Sequence, residues 1–281
     1  MPTINLRGQL MNLSLPQVMG ILNVTPDSFF PDSRAKDAED VLRRAEKMVA
    51  EGATILDIGG CSTRPGSKAP SEEEEWQRLF PGLEAVRKAL PEVPLSVDTF
   101  RAVVARRCVQ EFGVEIINDI SGGDADHAMF ETIAELGVAY VLTHNDSALS
   151  QHPDLSPEEV LSSVARYLAG RIQRLQELGV ADIILDPGYG FGKTLQQNYA
   201  LVHSLPDLIR CFDTYPILIG FSRKSMIYHL LDSAPEEALT GTVALNTLAL
   251  QAGAHILRVH DVREAVETVK VWKATQIGIH H

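Results

Sequence analysis

Apolar residues in this chain gather into eight short runs, at 18–23, 54–58, 94–98, 114–119, 138–144, 182–186, 216–220 and 255–260. The runs are apolar almost throughout, the pattern of strands buried on both faces in a parallel sheet. Between and after them, apolar positions recur at helical spacing over 38–51, 73–90, 102–112, 127–136, 157–178, 196–205, 226–231, 235–251 and 262–273. Gly52, Gly113, Gly137 and Gly179 each stand where a helical stretch gives way to the next run, as helix terminators do. Strand followed by helix, repeated through this length, predicts an α/β protein with a (β/α)8 TIM barrel rather than an open doubly wound sheet. No Pro/Gly/Ser-rich linker divides the chain, so residues 1–281 read as a single domain. Residues 1–17 form a short lead-in, for which a hairpin closing the barrel bottom is one form. The final His280–His281 pair resembles an affinity-tag remnant.

Composition narrows the class. With 281 residues and 45% hydrophobic content, the chain can bury a barrel-sized core. It has no apolar run near the ~18 residues of a membrane span, and no basic-then-apolar leader. A cytoplasmic protein with no membrane partner is expected. Cys61, Cys108 and Cys211 lie far apart and form no Cys-x-x-Cys pair, which fits a reducing compartment and small packed side chains rather than structural zinc. A net charge of -12 argues against a nucleic-acid partner, because phosphate backbones require clustered Lys and Arg. An anionic substrate would have to meet local positive charge within a negative global field.

Residues 183–194 hold the most unusual pattern. An apolar run ends in Asp186, and Gly188, Gly190 and Gly192 alternate up to Lys193. A phosphate loop needs four residues between its first glycine and the Gly-Lys pair, and here there are three, Tyr189, Gly190 and Phe191. What remains is a strand presenting a carboxylate, followed by a backbone that can approach a ligand closely. A parallel barrel gathers its chemistry at the C-terminal ends of its strands. Those ends supply Asn23, Asp57, Asp98, Asn118, Asp119, His144, Asp186, Ser222, Lys224, Arg258 and His260. Asp57 and Asp119 read as helix caps. The other carboxylates and amides converge and suit a ligand rich in N–H donors.

Seven motifs carry a family resemblance. ILNVTPDSF (21–29), DIGGCSTRPG (57–66), SVDTFR (96–101), INDISGG (117–123), DPGYGFGK (186–193), GFSRKS (220–225) and RVHDV (258–262) resemble, in order, those of dihydropteroate synthase, a pterin-binding TIM-barrel family. The resemblance implies a folate-biosynthesis transferase. Such an enzyme condenses 6-hydroxymethyl-7,8-dihydropterin pyrophosphate with p-aminobenzoate, releasing pyrophosphate and giving 7,8-dihydropteroate.

Residue roles follow from the same resemblance. Asp98, Asn118 and Asp186 would hold the donor edge of the pterin and Lys224 its acceptor side, through charge-assisted bonds. Asn23 would bind magnesium. Asn23, Arg64, Arg258 and His260 would face the pyrophosphate; Arg258 and His260 lie on the last strand, near where barrels often place phosphate. Phe29, Thr63, Arg64, Pro65, Phe191, Ser222 and Lys224 would surround p-aminobenzoate. The implied mechanism is dissociative, with Asp98, Lys224, Arg258 and His260 as catalytic residues. The arylamine is neutral at pH 7, which agrees with the lack of a Ser/His/Asp or Cys/His constellation. A homodimer through helices away from the mouth is also implied.

Three stretches depart from the family pattern. Residues 30–34 replace a serine, aspartate and glycine-rich run, Cys61 replaces a common glutamate, and residues 143–147 lack the methionines that usually flank His144. Two other readings stand beside the synthase: a pterin-binding methyltransferase acting with a corrinoid protein, and a non-catalytic pterin-binding paralogue. The methyltransferase would not need Arg64, Lys224, Arg258 and His260 around a pyrophosphate and an aminobenzoate.

Overall fold

The structure, a computed structural model, describes residues 2–24, 31–61 and 70–277. The chain opens with an antiparallel hairpin, β1 (Thr3–Leu6) and β2 (Gln9–Asn12), turning at Arg7 and Gly8. Eight parallel strands follow: β3 (Gln17–Asn23), β4 (Ile55–Gly59), β5 (Leu95–Asp98), β6 (Ile116–Asp119), β7 (Ala139–Thr143), β8 (Ile183–Asp186), β9 (Leu218–Ile219) and β10 (Ile256–Val259). Every apolar run becomes a strand. The connecting helices are α1 (Pro31–Glu51), α2 (Glu72–Ala89), α3 (Ala102–Phe112), α4 (Met129–Leu136), α5 (Pro157–Glu177), α6 (Leu195–His203), α7 (Leu205–Cys211), α8 (Ser225–Leu230), α9 (Leu239–Ala252) and α10 (Val262–Ile277).

Hydrogen-bonded neighbours run from β8 through β7, β6, β5, β4, β3 and β10 to β9. A single bridge, Leu185 to Ile217, joins β8 to β9 and completes the barrel. The seventh run is the shortest strand, because Pro216 has no N–H to give the sheet. Two helical predictions need correction. The stretch at 196–205 ends at His203, and Pro206 begins α7, as proline does in a first helical turn. The stretch at 235–251 is a short 3₁₀ turn at Pro235–Glu237 and then α9.

Two apolar layers position the site. Outward-facing strand residues such as Leu22, Leu56, Val97 and Leu142 pack under the helices. Inward-facing Met19, Ile55, Ile116, Ala139, Val141, Ile184, Leu218 and Ile256 fill the lower lumen, with Ile4, Leu6 and Leu13 of the lead-in plugged against them. The lead-in is pinned there by the Asn5 N–H, which donates to Asp182 Oδ1 at 2.8 Å. With its bottom sealed, the lumen can open only at the C-terminal ends of the strands.

Candidate active site

Side chains alternate along a strand, so the residues two beyond lumen-packed Ile55, Ile116, Ile184 and Ile256 emerge at the mouth. They are Asp57, Asn118, Asp186 and Arg258. Asp98 joins them, paired in register with Gly59 on one side and Asn118 on the other. Asp57 Oδ2 accepts from Arg258 Nε at 2.6 Å and from Asn118 Nδ2 at 2.9 Å. Arg258 Nη2 donates to Asp98 Oδ2 at 2.6 Å. One guanidinium thus bridges two carboxylates. Burial works against its charge, but Asp57 and Asp98 hold it above its ordinary value. Burial pushes Asp98 up to about 7, against the pull of Arg258 and with the push of Asp57.

The glycine loop forms the next wall. Asp186 Oδ1 accepts the Gly188 N–H at 2.7 Å. Gly188 has φ +69°, and a Cβ there would lie 1.8 Å from the His144 carbonyl oxygen, so the position admits only glycine. Gly190, at φ +80°, lies against the Lys224 stem. Lys224 Nζ donates to the Tyr189 carbonyl and sits 4.4 Å from the centre of the Phe191 ring, a cation–π contact. Burial pulls Lys224 down to about 8, while Asp186 opposes that shift. Lys193 turns away from the mouth: its Nζ lies 2.8 Å from His144 Nδ1 and donates to Gly188 O at 2.7 Å and Phe191 O at 3.1 Å. Burial lowers it to about 7, although three acceptors around one ammonium favour the charged form. His144, held down to about 2 by burial and then by Lys193, is neutral.

At the rim, Ser222 Oγ accepts the His260 N–H at 3.1 Å and contacts its Nδ1 at 3.0 Å. Desolvation and then Arg258 and Arg223 hold the His260 ring below its ordinary range. Arg223 forms a two-point pair with Asp261 at 2.6 and 3.0 Å. Asn23 is exposed at the end of β3, and a Cβ on Gly59 would lie 3.6 Å from its Oδ1 and 3.4 Å from Asp98 Cβ, so the two side chains are close neighbours.

The structure therefore brings together Asp98, Asn118, Asp186, Lys224, Phe191 and Arg258, with Asn23, Ser222 and His260 around them. Phe29, Thr63, Arg64 and Pro65 lie outside the described residues, as does the family departure at Phe30. Asp119 bonds locally to the Ser121 and Gly123 N–H groups and to the Tyr140 hydroxyl on the outer face. Asp57 is not a helix cap: it is fully buried, and its Oδ1 has no hydrogen-bond partner among the described residues. It lies within the run 54–58 rather than after it. A carboxylate inside a buried strand is costly unless paired, and that signal could have found it. Cys61 is half-buried beside the Arg101–Glu75 ion pair, and burial with Glu75 pushes its thiol up to about 12, so it is no nucleophile.

Residues 19–260 match the family described as pterin binding enzyme. The dihydropteroate synthase of Escherichia coli is 42% identical over 274 residues, covering 96% of this chain and 95% of the relative. A solved dihydropteroate synthase from Xanthomonas albilineans with 4-aminobenzoic acid superposes with a TM-score of 0.87 at 38% identity, covering 98% of this chain and 99% of its own. One from the same organism in complex with 7,8-dihydropteroate gives 0.83 at 35% identity, with the same coverage. The chain belongs to the pterin-binding enzyme family and, within it, to the dihydropteroate synthases.

Proposed function

We propose that this chain joins 6-hydroxymethyl-7,8-dihydropterin pyrophosphate to p-aminobenzoate, giving 7,8-dihydropteroate and pyrophosphate in folate biosynthesis. The observation that carries the reading is the buried network of Asp57, Arg258, Asp98 and Asn118, with Asp186 and Lys224 on neighbouring walls. A reduced pterin edge offers the N–H donors that such carboxylates and amides accept. Asp98, Asn118 and Asp186 hold that edge, and Lys224 donates to the acceptor side.

Chemistry starts with rupture of the methylene C–O bond, whose electron pair leaves with pyrophosphate. Arg258 and His260 face that departing charge, and Asp98 stabilises the positive charge left on the pterin. The arylamine nitrogen lone pair forms the new C–N bond, and its surplus proton passes to solvent or pyrophosphate. Phe191 packs on the arylamine ring. Ser222 can give its hydroxyl proton to the ring's carboxylate while its oxygen still accepts the His260 backbone N–H.

Magnesium fits this donor set. Among the described residues no three or more His, Cys, Asp or Glu side chains gather to hold a metal, and Asn23 offers one hard oxygen at the mouth. An ion that keeps waters and takes the rest of its oxygens from substrate phosphates matches that supply. When bound there, magnesium would neutralise pyrophosphate charge.

We place the reaction in the cytoplasm and in a homodimer. In support, no helix among the described residues is long and apolar enough to cross a membrane, and Leu230, Leu231 and Leu248 are exposed on α8, beside it and on α9. The whole of 1–281 acts as one domain in this reading. The test is a pyrophosphate-release assay. Release is expected only with magnesium and both substrates present; pterin binding without p-aminobenzoate-dependent turnover would leave a binding protein instead.

A further inference from the structure

Lys193 takes no part in the chemistry above, yet it is the most heavily engaged cation near the mouth. We propose that Lys193 is a positioning residue for the arylamine half of the site, tying the glycine loop to the end of β7 and so setting Phe191 and the Tyr189 carbonyl against Lys224. This rests on the reading that Phe191 and Lys224 face the arylamine.

The loop needs such a tie. Left-handed glycines at 188, 190 and 192 give it close approach to its neighbours but leave a backbone with much freedom to lose on ordering. Buried Tyr189 anchors its middle, with its hydroxyl on Leu201 O at 3.3 Å, and the backbone adds Phe191 N–H to Gly188 O at 3.1 Å, Gly188 N–H to Asp186 and Gly190 N–H to Asn198 Oδ1 at 2.7 Å. Lys193 adds the cross-links. Its ammonium binds carbonyls at both ends of the bend, Gly188 and Phe191, and reaches across to His144. A neutral His144 with its proton on Nε2 presents Nδ1 as the third acceptor, although that Nε2 is buried with no partner among the described residues. The His144 ring is itself fixed, with its centre 4.6 Å from that of Tyr167.

The consequence runs through two residues. Of the two carbonyls between the lysine's loop contacts, that of Tyr189 receives Lys224, and the Phe191 carbonyl that Lys193 holds belongs to the residue whose ring lies under the Lys224 ammonium. Loosening the tripod therefore moves the Phe191 ring and frees Lys224 to wander. Of the groups assigned to the pterin, Asp98 and Asn118 stand on strands that Lys193 does not touch, while Asp186 and Lys224 border the loop it ties. A phosphate role does not fit the same geometry, since the ammonium already sits among three acceptors.

Steady-state kinetics of the full chain with both substrates provides the test. In Lys193→Met the KM for p-aminobenzoate should rise at least about tenfold, while the KM for the pterin pyrophosphate, which shares Lys224 but keeps Asp98 and Asn118, rises no more than about threefold and inhibition by pyrophosphate stays within about twofold. His144→Phe keeps an aromatic ring against Tyr167 but removes the acceptor, and should give the same pattern at smaller size. It decides the question if the lysine variant does not fold. Equal rises for both substrates, an unchanged p-aminobenzoate KM, or weakened pyrophosphate inhibition would each overturn the assignment. No turnover by the unsubstituted chain would instead refute the synthase reading, which keeps the two failures distinct.

Discussion

Arg258 sets the charge balance at the mouth, because one guanidinium serves two carboxylates that could not otherwise be buried side by side. That arrangement has a titration signature. The pterin donors need ionised Asp98, and its acceptors need protonated Lys224. With Asp98 raised to about 7 and Lys224 lowered to about 8, kcat/KM for the pterin substrate should climb as pH rises through the first value and fall as it passes the second. Asp57→Asn removes a negative charge that raises Asp98, so the acid limb should move down by at least about half a unit. A pH–rate profile of the two proteins checks this, and an acid limb that stays in place would take Asp98 out of the assignment. Asp98 and Asp186 were legible in the sequence because each closes an apolar run, and Asn118 through the family motif at 117–123. Asp57 was not, since the partner that makes its burial tolerable lies 201 positions along the chain.

At the scale of elements, two of the three glycines in the loop between β8 and α6 have different duties. A Cβ at Gly188 would meet the fixed backbone of His144, whereas at Gly190 it would meet the flexible Lys224 stem at 3.2 Å. Gly188→Ala should therefore lose more than about 3 kcal/mol of unfolding free energy, against about 1–2 kcal/mol of left-handed strain for Gly190→Ala. Gly190→Ala should nonetheless slow turnover, because the lysine must shift. Urea unfolding alongside the pyrophosphate assay separates the two, and equal stability losses would contradict the distinction. The order of strands and helices was readable from periodicity alone. The break between α6 and α7 was not, because Leu205 and Pro206 fit both the end of one helix and the first turn of another.

For the whole molecule, the sealed bottom and the open top make function one-sided. The lead-in plugs the lower lumen, so the outer surface of the barrel is left for other contacts. Leu230, Leu231 and Leu248 are exposed there, and the chain's net charge of -12 would oppose association that lacked apolar burial. Sedimentation equilibrium should return twice the 30.8 kDa chain mass, and Leu231→Glu with Leu248→Glu should return one chain mass. A monomer in the unsubstituted protein would reject the dimer. Nothing in the sequence pattern pointed to these leucines, because exposure is a property of the assembled barrel and not of any helix's own periodicity.

The bridge from Arg258 to Asp98 has one more consequence. Asp98 Oδ2 accepts from the enzyme's own guanidinium, a planar group with N–H donors much like the pterin edge. The carboxylate assigned to the pterin is thus already paired with an imitation of that ligand. Affinity then measures an exchange of partners rather than a gain of new ones, and an inhibitor's pterin-like head gains only what its bonds exceed those surrendered by Arg258.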